Sequence, residues 1–255
     1  MYYDLFHLAS RLIDKNTHFV MVTVIEASGS TPAKTSFRMI VESDGTLHGT
    51  VGGGALESEA ITTAKSLIGQ NISITKTFSL EKDLNMACGG QITMFFESFA
   101  ASVLHIFGAG HVCQALIPVM TGAGFAVKVY DDRDGFEFVS EKFGCQFTKD
   151  DMAKQAALIS DGPGVFALVT TYNHIQDEAV GRELINKNLA FLGIIGSRRK
   201  AEKYRNNFIE AGFDREKVSG IFCPVGLPVG GTTPGEIAVS IASQMLSVKY
   251  GRTLS

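Results

Sequence analysis

The chain has 255 residues, 45% of them hydrophobic and 19% charged, with a formal net charge of −3. The length exceeds the common single-domain size of roughly 100–200 residues and points to two domains, while the composition excludes a disordered or fibrous chain and the slight acidity excludes a non-specific polyanion binder, so no nucleic-acid partner is expected. Four widely spaced cysteines without a C-x-x-C pair argue against structural zinc; the absence of a leader-like start or of a ~20-residue apolar run leads to the expectation of a cytoplasmic chain with reduced thiols and no membrane partner.

In chain order, Leu5, Leu8, Leu12 and Ile13 recur at helical spacing. "HFVMVTVIEASGS" reads as a buried strand that ends at Gly29 and Pro32, and "FRMIVESDGTLHGTV" as a hairpin around Asp44-Gly45. Gly52, Gly53 and Gly54 lead into a helix whose apolar face is Leu56, Ala60, Ile61, Ala64 and Ile68. Strands around 72–79 and 91–97 complete a small α+β unit. Beyond "ESFAAS" short apolar strands alternate with helices, which predicts βαβ units on a parallel sheet. The expected architecture is therefore α/β: an N-terminal α+β domain over 1–100, then a Rossmann-like doubly wound domain over 101–255.

"VLHIFGAGHVCQAL" places Gly108 and Gly110 between a predicted strand and a predicted helix, with Asp131 ending the next strand. Such a turn offers backbone N–H groups and a helix dipole to a pyrophosphate, and an acid about 20 residues on accepts from a ribose hydroxyl. Cys113 stands where the third glycine of that pattern would be. In "GTVGGGALESE", Gly52, Gly53 and Gly54 form either an anion-binding nest or a helix start whose Glu57 and Glu59 simply suit the dipole. "ASGSTPAK" adds the hydroxyls of Ser28, Ser30 and Thr31 and the cation of Lys34. Cys88, followed by Gly89 and Gly90, reads as an inert core thiol, a soft metal ligand such as molybdenum takes, or a sulfur-carrying nucleophile, and the residues leave all three open. Gly196, Ser197, Arg198 and Arg199 end a strand and open a helix, a pattern suited to phosphate. His174 and Asp177 follow another strand end, where open α/β sheets bind ligands.

Together, "GSTPAK", "GTVGGGALE", "CGG", "FGAGHV", "DDR", "GIIGSRRK" and "PVGLPVGGTTPGEIAVSI" resemble the XdhC/CoxI family, the accessory proteins of xanthine dehydrogenase and related molybdenum hydroxylases. The resemblance covers nearly the whole chain. It departs at Cys113 and at "TTYNHIQDE", where the family carries a Thr-Arg-Gly-His type of sequence, although His174 still aligns. The resemblance implies a protein that binds the molybdenum cofactor, as molybdopterin or its dinucleotide, protects it while its terminal sulfur is installed, and delivers it to an apo-hydroxylase. It also implies a cysteine desulfurase partner and a homodimer. Under it, Cys88 and His174 are the candidate reactive residues, Cys88 is the candidate molybdenum ligand, and Gly52, Gly53, Gly54, Gly89, Gly90, Gly108, Gly110, Asp131, Gly196, Ser197, Arg198 and Arg199 are the candidate cofactor contacts. One alternative is an NAD(P)-dependent oxidoreductase using Gly108, Gly110 and Asp131, in which Asp131 disfavours a 2′-phosphate while Arg133 beside it offsets that preference. Another is a sulfurtransferase with a persulfide on Cys88.

Overall fold

The computed structural model describes residues 2–14, 17–70, 72–81, 83, 89–99 and 102–252. The chain divides into two compact units, Met1–Ala101 and Ser102–Ser255.

The first unit contains α1 (Tyr2–Asp14), β1 (Phe19–Ser28), β2 (Arg38–Glu42), β3 (Leu47–Gly49), α2 (Gly54–Leu67), β4 (Ser73–Ser79) and β5 (Gln91–Phe99). Its sheet is antiparallel in the order β3-β2-β1-β5-β4. Central β1 is buried on both faces, which is why it reads as a continuous apolar run. Val20, Val22 and Val24 meet Leu56, Ala60 and Ala64 of α2, at the i, i+4 spacing of one helical stripe. Phe19 and Met21 alternate to the other face and pack with Leu5, Ala9 and Leu12 of α1. The β2–β3 hairpin turns where the Asp44 side chain accepts from Thr46 N–H at 2.8 Å and Gly45 takes φ 90°.

The second unit contains β6 (Ser102–Phe107), α3 (His111–Gly122), β7 (Phe125–Asp131), α4 (Phe138–Phe143), β8 (Gln146–Lys149), α5 (Met152–Leu158), β9 (Gly162–Val169), α6 (His174–Leu184), β10 (Leu189–Ile194), α7 (Arg198–Glu210), α8 (Arg215–Ser219) and α9 (Pro234–Lys249). Its five strands are parallel in the order β10-β9-β6-β7-β8. The chain winds outward from β6 through β7 to β8, then returns to β9 on the other side of β6, so the order reverses between β6 and β9. Ligands of open α/β sheets bind outside the carboxyl ends of the strands at such a reversal. Helices cover both faces: Leu104 and Ile106 of β6 pack with Cys113, Leu116 and Ile117 of α3 and with Ile241 and Met245 of α9. The opposite face packs on α5, α6 and α7 through Ala156, Val180, Leu184, Tyr204 and Phe208. Among the described residues no helix is long and apolar enough to cross a membrane.

Candidate functional site

The carboxyl edge of the parallel sheet gathers most of the residues singled out in the second half of the chain. Gly108 follows β6 with φ 107°, and a Cβ there would lie 2.2 Å from the Thr170 carbonyl oxygen at the end of β9. Only glycine fits that approach, because both the backbone conformation and the space exclude a side chain. Gly110 is different. Its φ is −66°, a Cβ would meet nothing within 4 Å, and it begins α3 without any side-chain cap and without an acidic residue in the first turn. The helix start therefore keeps its dipole and its first N–H groups for whatever lies outside it. Cys113, at the position of the pattern's third glycine, is fully buried between α3 and the sheet, and burial pushes its thiol far above the ordinary range.

Asp131 ends β7 and reaches back to the glycine turn, where its Oδ2 accepts from Ala109 N–H at 2.7 Å. The same oxygen accepts from Arg133 Nη2 at 2.7 Å, while Oδ1 accepts from Arg133 N–H at 3.0 Å and Nε at 2.9 Å. Burial alone would raise the carboxyl, but the Arg133 guanidinium and the two backbone donors outweigh it and hold Asp131 below the ordinary carboxylate range. Arg133 in turn contacts two rings, its Cζ 4.3 Å from the centroid of Phe136 and 4.8 Å from that of Tyr172. Tyr172 OH donates to Asp132 Oδ2 at 3.2 Å, and Asp132 Oδ1 is buried with no partner among the described residues. Neither aromatic was singled out in the sequence; an arginine in contact with two rings from separate loops leaves no local signal beyond the "DDR" at the strand end.

His174 opens α6 and is exposed. It lines a polar cleft of about 410 Å³ with Glu178, Arg182 and Lys203. That cleft is formed by residues of α6 and α7 and is lined by none of the glycine turn. Asp177 is buried: its Oδ1 accepts from Thr171 Oγ1 at 2.7 Å and from Thr171 N–H at 3.1 Å, and its Oδ2 from Tyr204 OH at 2.9 Å. Burial raises its pKa against those bonds. At the end of β10, Ser197 caps α7 by accepting from Lys200 N–H at 3.3 Å, and Arg198 and Arg199 are exposed in the first turn. Basic residues at a helix start oppose the dipole, so this start gains a balance of charge only from an anion outside the helix.

The first unit holds the remaining candidates. Gly52, Gly53 and Gly54 take φ 126°, 76° and 61° in succession, and the N–H groups of Val51, Gly52 and Gly53 are engaged within the chain. Glu57 Oε2 accepts from Val51 N–H at 3.2 Å, from Gly53 N–H at 3.3 Å and from Thr50 Oγ1. The last glycine-rich helix start repeats the device: Glu236 Oε2 accepts from Thr232 N–H and Thr233 N–H, each at 2.9 Å, in a capping box at α9. Gly90 packs so closely on the Ser28–Thr31 loop that a Cβ would sit 2.5 Å from Thr31 Cγ2 and 2.7 Å from the Ser28 carbonyl oxygen. Gly52 in turn abuts Ala33, so the loop from Ser28 to Lys34 stands between the two glycine segments. Gly89 is exposed beside it. Cys88 lies outside the described residues. Among those described, no three His, Cys, Asp or Glu side chains converge as a metal-holding group. Burial raises the thiols of Cys113, Cys145 and Cys223, the last to about 11, so none of the three is poised as a thiolate.

Known proteins share both halves of this pattern. The chain is 30% identical over 96% of its length to the uncharacterized protein YqeB of Escherichia coli (strain K12), and 27% identical over 57% of its length to a probable xanthine dehydrogenase component of Bacillus subtilis (strain 168). It spans only 46% and 42% of those relatives' own lengths. In fold it is similar to a crystal structure of a xanthine dehydrogenase from Bacillus halodurans, with a TM-score of 0.53 and 20% identity over 97% of this chain and 96% of that one. The profile of the XdhC Rossmann domain matches residues 104–245, the whole of the parallel sheet apart from its first two residues, and that of the XdhC and CoxI family matches residues 12–79. With more than half its residues under the first profile and residues 12–79 of the antiparallel unit under the second, the chain belongs to the XdhC and CoxI family.

Proposed function

We propose that the protein is an accessory factor of a xanthine dehydrogenase-type molybdenum hydroxylase, which binds the molybdenum cofactor, shelters it during sulfuration and passes it to the apo-enzyme. The observation that carries this reading is the contrast among the glycine-rich helix starts. At Gly53 and Thr233 the chain's own Glu57 and Glu236 accept from the N-cap N–H, whereas the start at Gly110 has no side-chain cap and no acidic residue in its first turn, and Asp131, which touches its turn at Ala109 N–H, is occupied by Arg133. A phosphate-bearing ligand fits a helix start whose first-turn donors the chain leaves uncapped. When bound, the cofactor supplies the molybdenum centre that the client enzyme uses.

The α3 start, with Gly110 allowing close approach, holds the phosphate, and Arg198 and Arg199 at the end of β10 add charge along the same carboxyl edge. Cys88 is assigned to the sulfur chemistry, a role consistent with the high thiol pKa values of the three described cysteines. An apo-hydroxylase and a cysteine desulfurase are the proposed partners, in the cytoplasm and with the protein as a homodimer. The xanthine dehydrogenase named among the relatives supports the client class.

The test is retention of molybdopterin on gel filtration. Wild type is expected to carry the pterin, Gly110→Ala to lose most of it while staying folded, and Arg198→Ala to bind roughly tenfold or more weakly, as loss of a charge-assisted bond of about 1.5–3 kcal/mol implies. A wild-type protein that elutes free of pterin sinks the reading. Cys88→Ala, incubated with desulfurase and cysteine, is expected to lose the added sulfur seen by mass spectrometry on the wild type.

A further inference from the structure

In a dinucleotide-binding fold the acidic residue at the end of the second strand accepts from the ribose diol. Asp131 holds that position, but it has nothing left to accept with. An ionised carboxylate has about four lone-pair sites. All are taken within this chain, by Ala109 N–H and Arg133 Nη2 on Oδ2 and by Arg133 N–H and Nε on Oδ1. The Asp131 side chain is 0% exposed, while that of Arg133, which covers it, is 34% exposed. The free oxygen of the neighbouring Asp132 is itself buried and does not replace it.

What the carboxyl edge shows a ligand at this corner is thus a guanidinium. Two of its five N–H bonds go to Asp131, and three remain. Phe136 and Tyr172 both lie against it, which restrains its orientation before anything binds. Because Oδ2 of Asp131 accepts from both Arg133 and Ala109, the guanidinium and the glycine turn are neighbours. A planar fork of donors next to a helix start matches the oxygens of a phosphate, whereas a diol would have to donate to an acceptor that is no longer there.

We propose that Arg133 is the specificity-determining residue of this carboxyl edge: by covering Asp131 it converts the ribose corner of a dinucleotide fold from an acceptor into a fork of N–H donors that selects a ligand ending in a phosphomonoester and turns away the free diol of NAD. The proposal rests on the reading that this edge holds a phosphate-bearing cofactor, and the phosphomonoester can be that of a pterin or that of a 2′-phosphorylated adenosine. Affinities of the full chain for molybdopterin, NADPH and NADH, in wild type, Arg133→Ala and Arg133→Met, separate these cases. Arg133→Met keeps an apolar stem against the two rings should Arg133→Ala fold poorly.

Wild type is expected to bind molybdopterin, NADPH or both at least about tenfold more tightly than NADH, and both variants to lose that margin, since each removes charge-assisted donors. In Arg133→Ala, NADH binding is expected to strengthen as Asp131 is uncovered. NADH binding to the wild type as tightly as the phosphomonoester probes, a margin that survives in both variants, or no binding of any probe overturns the proposal. Molybdopterin binding equally well to all three proteins would leave the accessory-factor reading standing and remove the role of Arg133. A margin of NADPH over NADH that depends on Arg133, with no molybdopterin bound anywhere, would do the reverse.

Discussion

Gly108 and Gly110 are the same residue type two positions apart, and the structure gives them opposite duties. At Gly108 a methyl group would meet the Thr170 carbonyl oxygen at 2.2 Å with φ at 107°. Gly108→Ala is therefore expected to cost about 3 kcal/mol or more, combining left-handed strain with backbone overlap, and to show as a large fall in the urea midpoint. Gly110→Ala is expected to leave that midpoint unchanged or slightly raised, so its effect on binding is read without a folding penalty. The sequence showed where the glycine turn lies. It could not show which glycine the fold requires, since that depends on β9, some 60 positions along the chain, crossing beside β6. Asp131 was legible in the same partial way: its place at a strand end follows from spacing, its cover by Arg133 does not.

A second residue-scale effect concerns pH. His105 on β6 is 4% exposed and shares a 2.9 Å hydrogen bond with Tyr130 OH; burial, with Lys128 and Lys187 adding to it, lowers its pKa to about 4. The unfolded chain takes up this proton near the ordinary histidine value of 6.5 and the folded chain only near 4, so stability is complete above the first value and is lost as pH falls toward the second. The loss amounts to about 3 kcal/mol over that window. Urea midpoints followed from pH 7 down to 4.5 should fall in the wild type and fall less in His105→Gln; equal slopes in the two proteins would show that the histidine is not responsible.

At the scale of elements, two helices start on glycine-rich turns closed by their own glutamates. Glu57 is half-buried and bonds Val51, Gly53 and Thr50, so Glu57→Ala is expected to lower stability by about 1–2 kcal/mol. Chemical denaturation measures the loss, and sulfate should restore part of it by filling the vacated turn in the variant alone. The longer elements were legible because their period is long enough to read: α2 through Leu56, Ala60 and Ala64, β1 through a run of apolar residues. By contrast α4, β8, α5 and α8, of six, four, seven and five residues, were missed. None spans two full turns, and β8 forms the half-exposed edge of its sheet, so each is too short for its period to be read.

Over the whole molecule, each unit closes its own cores: α1 and α2 cover the two faces of one sheet, and two helical layers cover the other. Residues 102–255 produced alone are therefore expected to fold, with a single cooperative urea transition and a far-ultraviolet spectrum of mixed helix and strand; an unfolded product would show that the parallel unit depends on the rest of the chain. The two-part architecture was legible because, past "ESFAAS", short apolar strands begin to alternate with helices. The function of each edge was less so, since parallel strands bring residues from positions 108, 131, 172 and 198 to one rim only after the order of strands is known. One inward contact then acquires a mechanical meaning. Asp177 joins the loop after β9, through Thr171, to α7, through Tyr204. The loop that passes Gly108 and the helix that carries Arg198 and Arg199 are in this way joined through one buried carboxylate, which holds the two rims of the carboxyl edge in register.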